Sequence, residues 1–145
     1  MRMALALAAR ATAVGEVPIA AVLVQGMEVL ASSHNFRESW QDPTAHAELI
    51  AIREAAKLSG TWRLLDTTLY VTVEPCPMCL GAVILARIPR VVFGASDPKA
   101  GACGSVLDFT SNPRLNHHVA VTGRVLEAES QALLQKFFRG LRNAG

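Results

Sequence analysis

Three side chains that can donate to a metal ion constrain this chain more than any other feature. They lie in two short segments, Thr44-Ala45-His46-Ala47-Glu48 and Glu74-Pro75-Cys76-Pro77-Met78-Cys79. Zinc takes four ligands, and a structural site fills all four with protein, whereas a catalytic site leaves one position to water. One histidine and two cysteines therefore predict a zinc site with an open position, and the fold has to bring the two segments together.

The spacing within each segment separates metal ligands from a fourth polar group. Cys76 and Cys79 are three residues apart, which places both sulfurs on one face of a helix. A helix that begins at Pro77 would also stabilise both thiolates with its positive end. His46 and Glu48 are two residues apart and point to different faces of a helix. We therefore expect His46, Cys76 and Cys79 to be ligands and Glu48 to move protons beside them.

Other uses of a Cys-x-x-Cys pair are a redox dithiol or half of a structural zinc site. A structural site needs a second pair of ligands, but Cys103 stands alone and His117 and His118 are adjacent. A redox dithiol does not require the upstream histidine and glutamate. The combined pattern favours catalytic zinc.

Length and composition predict one domain over residues 1–145. With 51% hydrophobic residues, the chain can bury a core without disulfides. The net charge of +2 permits a nucleic-acid partner without demanding one. The segment 87–145 has eight Lys or Arg against four Asp or Glu. A solvated helix face and an RNA-facing patch explain that excess equally well.

The alanine-rich N-terminus resembles a signal peptide, with Ala11-Thr12-Ala13 as a cleavage site. Arg10 interrupts the short apolar run, and a thiolate site suits a reducing compartment. We therefore expect a cytoplasmic protein. No apolar run approaches the eighteen or so residues that a membrane span needs, so no membrane partner is expected.

Apolar periodicity and turn residues predict strands that alternate with helices. Thr44 stands where it could cap a helix, and Gly60 where one could end. Both halves of the zinc motif then fall at the N-termini of helices, at one edge of an α/β sandwich. The predicted elements are helix 2–14, strands 18–24 and 27–33, a polar loop 34–43, helix 44–59, strand 68–73, helix 77–86, strand 91–93, a long loop 94–116 with one helical turn, strand 118–122 and helix 127–142.

The pattern H-x-E followed by P-C-x-x-C, formed by His46, Glu48, Pro75, Cys76 and Cys79, resembles the zinc nucleobase deaminases. Four flanking segments, 42–48, 69–76, 90–95 and 116–117, are similar to those of the bacterial tRNA adenosine deaminases, which make inosine at the wobble position of the anticodon. The resemblance extends over nearly the whole chain.

This resemblance implies a fold, a reaction and partners. The fold is a cytidine deaminase-like three-layer α/β/α sandwich with a five-stranded mixed sheet. The reaction is the hydrolytic deamination of a wobble adenosine in the anticodon stem-loop of a tRNA, with one Zn²⁺ per subunit and Glu48 as the catalytic acid and base. The implied assembly is a homodimer whose subunits share the RNA site.

The resemblance also implies which residues meet the substrate. Asn35 would hold the purine edge; the alternative is a turn asparagine, but a flipped base needs a polar side chain to recognise it, which favours the first interpretation. Ile19 and Val73 would be apolar pocket walls or core residues. Ser96 and Ala100 depart from the family pattern, which usually has Arg and Thr there, so RNA contacts from that loop are the least certain. The substrate residues implied by the resemblance are Ile19, Asn35, Ala47, Val73, Pro75, Asp97, Lys99, Asn116, Phe137, Phe138, Arg139 and Arg142.

Two other functions fit the zinc motif. A deaminase of free bases or nucleosides, such as guanine, cytosine or cytidine, would share the zinc site and Glu48 but not the basic, aromatic C-terminal helix. A zinc-stabilised RNA-binding module would need a blocked zinc position or no carboxylate, and the presence of Glu48 argues against it.

Overall fold

The computed structural model describes residues 1–145, and its centre is a five-stranded mixed sheet. The strand order is β2-β1-β3-β4-β5; β1 runs antiparallel to β2 and β3, and β3, β4 and β5 run parallel to one another. The strands are β1 (Ala20–Gln25), β2 (Glu28–His34), β3 (Thr67–Val73), β4 (Arg90–Ala95) and β5 (Ala120–Thr122).

Helices cover both faces of the sheet. The first, third, fourth and last helices are α1 (Arg2–Ala11, extended by a 3-10 turn Thr12–Val14), α3 (Ala47–Ser59), α4 (Pro77–Leu85) and α5 (Glu127–Ala144). Helices α1 and α5 pack against each other and the sheet, and α3 and α4 form a second pair. The expected three-layer α/β/α sandwich is therefore confirmed. None of the helices is both long and apolar enough to cross a membrane.

Alternating strand residues build the core beneath α3 and α4. Leu23, Leu69 and Val71 are fully buried and belong to the same apolar cluster as Ala51 of α3 and Leu80 of α4. Successive side chains of a strand point to opposite faces, so these positions share one side of the sheet. The carboxyl end of β3 then leads directly to the start of α4.

The last helix lies unusually close to the sheet. Ser130, the buried residue of α5, donates its hydroxyl hydrogen bond to the backbone carbonyl of Thr72 in β3. A Cβ atom added to Gly94 would lie 2.5 Å from that same carbonyl oxygen and 3.2 Å from the Ser130 Cβ. Glycine at position 94 therefore allows the first turn of α5 to approach β3 closely.

Two local predictions were wrong. Thr44 does not cap α3, because its N–H and hydroxyl both donate to Asp42 Oδ1; His46 occupies the cap position instead. The segment 34–43 is not a simple loop, because it contains the short helix α2 (Arg37–Trp40). Smaller differences concern strand ends: β1 begins at Ala20 and β5 at Ala120, each two residues later than predicted.

Candidate active site

The three predicted metal donors lie at the first turns of two helices. His46 is the N-cap residue of α3, Cys76 is the N-cap residue of α4, and Cys79 follows in the first turn of α4. Pro77 takes the first helical position, where its missing N–H costs nothing. Both helices therefore direct their positive ends towards the donor atoms, which favours deprotonated sulfur.

The geometry of the donors fits a tetrahedral zinc ion. His46 Nδ1 lies 3.7 Å from Cys76 Sγ and 3.4 Å from Cys79 Sγ, and all three atoms lie within 4.8 Å of one another. With Zn–N of about 2.0 Å and Zn–S of about 2.3 Å, tetrahedral ligands place nitrogen and sulfur roughly 3.6 Å apart. One imidazole and two thiols are also the ligand types that zinc prefers.

Mutual hydrogen bonding moves the pKa values of the two thiols in opposite directions. A hydrogen bond from Cys79, opposed by burial, holds the pKa of Cys76 down at about 4. The pKa of Cys79 is strongly raised, because its thiol donates that hydrogen bond and is buried. The hydrogen bond with Cys76 also raises the pKa of His46. One sulfur is thus readily available as a thiolate, and a cation has to displace the proton from the other.

Glu48 lies beside these donors but outside the set that could share one ion. Only 4% of its surface is exposed. Burial raises the pKa of this carboxyl, because removing a charge from water favours the neutral form. A carboxyl with a raised pKa can both accept and return a proton near neutral pH. The structure therefore places Glu48 beside the three donors and not among them, which is the arrangement that the two-residue spacing predicted.

A cavity of about 500 Å³ opens onto these groups. This volume suits a small molecule or one extruded nucleotide. The residues that line it come from both sides of the sheet edge and from α5: Val17, Ile19, Asn35, Arg37, His46, Ala47, Glu48, Val73, Glu74, Cys76, Ser96, Asp97, Pro98, Lys99, Leu134 and Phe138.

Seven of the twelve residues predicted to meet substrate line this cavity. They are Ile19, Asn35, Ala47, Val73, Asp97, Lys99 and Phe138. Arg139 and Arg142 line a neighbouring depression together with Lys99 and Phe138. Pro75, Phe137 and Asn116 line neither.

Those three residues have other surroundings. Pro75 is buried, and its carbonyl accepts a hydrogen bond from Ala102 N–H. Phe137 is half-buried and packs edge-on against Phe138, with 5.4 Å between ring centroids. Asn116 is exposed.

The Asn35 carboxamide has one end fixed and one end free. Its Oδ1 accepts a hydrogen bond from Arg37 N–H at 3.0 Å, and its backbone N–H donates to Ile19 O at 2.9 Å. The Arg37 bond to Oδ1 is the only side-chain hydrogen bond of Asn35, and Nδ2 is not buried away from the cavity, although the residue as a whole is only 6% exposed. The free NH₂ group can therefore donate to an acceptor placed in the cavity.

Sequence reasoning missed a second buried carboxylate that shapes the cavity. Glu74 is 3% exposed and accepts hydrogen bonds from the N–H groups of Asp97, Cys103 and Ser105 and from the Ser105 hydroxyl. Burial alone would raise its pKa, but these donors lower it. Glu74 and the residues that donate to it are more than twenty positions apart in the chain, so no local spacing could predict these hydrogen bonds. Arg37, at the mouth of the cavity, was also missed.

The loop that carries Asp97 and Lys99 is fixed largely by this carboxylate. A Cβ atom added to Gly101 would lie 2.4 Å from the Glu74 carboxyl group. Asp97 Oδ1 accepts hydrogen bonds from the N–H groups of Lys99 and Ala100. Part of the Asp97 carboxylate is thus occupied within its own turn, while Lys99 is exposed.

Comparison with known proteins gives three consistent similarities. Residues 1–142 match the model of the MafB19-like deaminases. The chain is 51% identical over 142 residues to the tRNA-specific adenosine deaminase of Bacillus subtilis (strain 168), covering 98% of this chain and 88% of that protein. A solved structure from a study of A-to-I editing by tRNA:A34 deaminases, at the wobble position of transfer RNA, is 45% identical with a TM-score of 0.88. It covers 92% of this chain and 97% of that chain.

A more distant similarity concerns another substrate. The guanine deaminase from Bacillus subtilis is 32% identical in sequence, with a TM-score of 0.65 over 98% of this chain and 90% of that chain. A similar fold alone therefore does not select the substrate.

The donor geometry predicts that the protein binds one zinc ion through His46, Cys76 and Cys79. Cys79→Ser should lose most of the zinc that purifies with the wild-type protein, measured by elemental analysis, because hydroxyl oxygen is a far weaker zinc ligand than thiolate. Cys103→Ser is the matched control. Cys103 is half-buried, burial raises its pKa to about 12, and it is not one of the clustered donors. Equal zinc loss in both variants would contradict the assignment.

Proposed function

Since the chain belongs to the MafB19-like deaminase family, with tRNA-specific adenosine deaminases among its relatives, we propose that it deaminates the wobble adenosine of a tRNA anticodon loop to inosine. Water is consumed and ammonia is released, with one zinc ion per subunit. The observation that carries this proposal is the buried Glu48 carboxyl beside three clustered metal donors, in a cavity that also contains the free Asn35 amide.

Hydrolytic deamination needs an activated water and two proton transfers. When bound, zinc lowers the pKa of a coordinated water towards about 7 and so supplies the nucleophile at neutral pH. Glu48 accepts a proton from the water and delivers one to the ring nitrogen beside C6 as oxygen bonds to that carbon. It then takes the second proton from the hydroxyl that is now bonded to C6 and passes it to the departing amino group, so that the C–N bond breaks, C6 becomes a carbonyl and ammonia leaves. Its raised pKa suits this double role.

The cavity wall supports recognition of a purine that has left its stack. Asn35 offers a hydrogen-bond donor, and Ile19 and Val73 provide apolar surface on either side. An anticodon-loop nucleotide is cheaper to extrude than a paired one, because no base pair is broken. We assign Asn35 to the purine edge and the two apolar residues, with Ala47, to the walls.

The surface around the cavity mouth supports binding of the flanking nucleotides. Lys99, Arg139 and Arg142 surround one depression beside Phe138, which is 43% exposed. Cations can hold phosphates and an exposed aromatic ring can stack on a splayed base. Asp97 and Phe137 contribute by shaping this surface, whereas Asn116 lies outside the cavity and Ser96 replaces the usual arginine.

Deamination of free guanine is the second candidate, because of the similarity to guanine deaminase. The Lys99, Arg139 and Arg142 cluster favours RNA, since a free base has no phosphate for these side chains to hold. The higher identity to the tRNA-specific enzymes points the same way.

We also propose that the protein is a homodimer whose subunits share the RNA site. Helix α4 is apolar on its outer face as well as its inner face: Met78 is 36% exposed and Leu85 70% exposed. A helix that is apolar all round is normally covered on both sides. Because Met78 lies between Cys76 and Cys79, a partner on this face would sit next to the metal donors. The three free thiols suit the cytoplasm, and we treat residues 1–145 as one catalytic domain.

Substrate choice is tested by incubating zinc-loaded protein with anticodon stem-loops that carry A, C or G at the wobble position, beside free adenine, guanine and cytidine. We expect inosine in the adenosine stem-loop, detected by mass spectrometry of the digested RNA, and no turnover of the free bases. Deamination of guanine without inosine in the stem-loop would contradict the proposal and favour the second candidate.

The proton-transfer role predicts that Glu48→Ala lowers kcat by about 10²- to 10⁴-fold, because no other group at the site can move these protons. Its zinc content should equal that of the wild type, since Glu48 is not a ligand. Glu54→Ala is the control, because Glu54 is exposed on the same helix; it should retain full activity. Full activity of Glu48→Ala with bound zinc would refute the role.

The dimer proposal predicts that Leu85→Glu shifts the protein towards monomer in size-exclusion chromatography with light scattering at micromolar concentration. A charge on this face would have to be desolvated in the interface. Leu58→Glu introduces the same change on α3, where Leu58 is 73% exposed, and should leave the dimer intact. A monomeric wild-type protein that still deaminates RNA would overturn the shared site.

A further inference from the structure

A third buried glutamate, Glu16, lies away from the metal donors and does not line the cavity. It follows the 3-10 turn after α1, and none of its surface is exposed. Its carboxylate accepts hydrogen bonds at both oxygens: Oε1 from Glu38 N–H at 3.0 Å, and Oε2 from Ser39 N–H at 2.6 Å and from the Ser39 hydroxyl. An ionised carboxylate can be buried at low cost only with donors of this kind.

These bonds hold a segment that has few other contacts. Helix α2 has only four residues and none of them is buried; its aromatic contact is the stacking of Trp40 on Phe36, with 4.7 Å between ring centroids. Such a short helix is not stable by itself. The Glu16 carboxylate binds the N–H groups of its first turn, where negative charge is also favoured by the helix dipole. Glu16 lies more than twenty residues before α2 in the chain, and its carboxylate provides a stabilising contact that the four residues of the helix do not make among themselves.

The same segment forms one wall of the cavity. Asn35 and Arg37, which line the cavity, lie immediately before or within α2. Asn35 Oδ1 is bonded to Arg37 N–H, so movement of the α2 backbone would move the carboxamide with it. The opposite end of the segment is tied to Ile19 O through Asn35 N–H and to Ala45 O through Phe36 N–H. At the α2 end, the segment is held by the hydrogen bonds from Glu38 and Ser39 to the Glu16 carboxylate.

We propose that Glu16 is a positioning residue for base recognition: by holding the first turn of α2, it sets the position of the Asn35 amide and of Arg37 at the cavity wall. This inference rests on the proposed function, and it goes beyond it by placing part of the substrate selection on a residue that touches neither zinc nor base. Glu16 acts through Asn35, not on the reacting atoms.

The test is a double-mutant cycle between Glu16→Gln and Asn35→Ala, with kcat/KM measured on the adenosine anticodon stem-loop. Glutamine has nearly the same size as glutamate, but one of its two accepting oxygens is replaced by an NH₂ group. That NH₂ group would face an N–H donor of α2, so one hydrogen bond would be lost. We expect Glu16→Gln to lower kcat/KM by about 10- to 100-fold, the scale expected for a misplaced positioning group. In the Asn35→Ala background the same change should cost much less, because the group that Glu16 positions is already gone.

Zinc content and the midpoint of thermal unfolding are measured on every variant. Glu28→Gln is the matched control, because Glu28 is an exposed glutamate at the start of β2; it should leave kcat/KM unchanged. If Glu16→Gln does not fold, Ser39→Ala replaces it in the cycle, since it removes one donor to the carboxylate and keeps the backbone bonds. The expected loss is then smaller, but it should again shrink in the Asn35→Ala background.

The outcomes separate this inference from the proposed function. Wild-type turnover of the stem-loop, together with an equal loss for Glu16→Gln in both backgrounds, would overturn the positioning role and leave the proposed function standing. Unchanged kcat/KM in folded Glu16→Gln would do the same. Failure of the wild type to convert the stem-loop would instead count against the proposed function.

Discussion

The meeting of two helix N-termini at one edge of the sheet is the constraint on which the rest of this structure depends. His46 and Cys76 are both N-cap residues, and Cys79 follows one turn after Cys76. Each ligand is therefore fixed by a helix that packs into the core with its neighbour, not by a mobile loop. Both dipoles favour negative charge at the same point, and the low pKa of Cys76 makes one thiolate available there before any metal binds. The core beneath α3 and α4 thus determines the metal geometry.

Three buried glutamates show how the same side chain takes different roles in one small protein. Burial dominates at Glu48 and raises its pKa, so the carboxyl can exchange a proton. At Glu16 burial also opposes ionisation, but donors from Ser39 and Glu38 outweigh it and lower the pKa. Glu74 behaves like Glu16, with donors from Ser105, Asp97 and Cys103. The number of N–H and O–H donors around each carboxylate therefore separates one carboxyl with a raised pKa from two with lowered pKa values that order the chain.

The features that could be predicted from the sequence depend on residues close together in the chain. The features that were missed depend on contacts between residues far apart in the chain. The donor set and the separate role of Glu48 follow from spacings of two and three residues on a helix, which is local geometry. The strand and helix order likewise follows from apolar periodicity. Helix α2 was missed because its stabilising partner, Glu16, lies more than twenty residues away, and Thr44 was misassigned because Asp42 competes for its hydroxyl. The loop from Asp97 to Ser105 depends in the same way on Glu74. No window of sequence contains both partners of such contacts.

This division has a consequence for substrate choice. The metal donors and Glu48 lie at the starts of helices with buried faces, whereas part of the cavity wall lies on segments with less of a core: α2 has no buried residue, and the turn from Asp97 to Ser105 depends on the Glu74 carboxylate together with backbone hydrogen bonds. A segment fixed by a few hydrogen bonds can change its shape with few substitutions, while a helix end packed in the core cannot. The similarity to both a guanine deaminase and tRNA-specific adenosine deaminases fits this picture, since enzymes named for different substrates share one fold. Under the proposed function, selection between a free base and an RNA loop would therefore depend on how Glu16 and Glu74 hold these two segments, and on the cations of α5 beyond them.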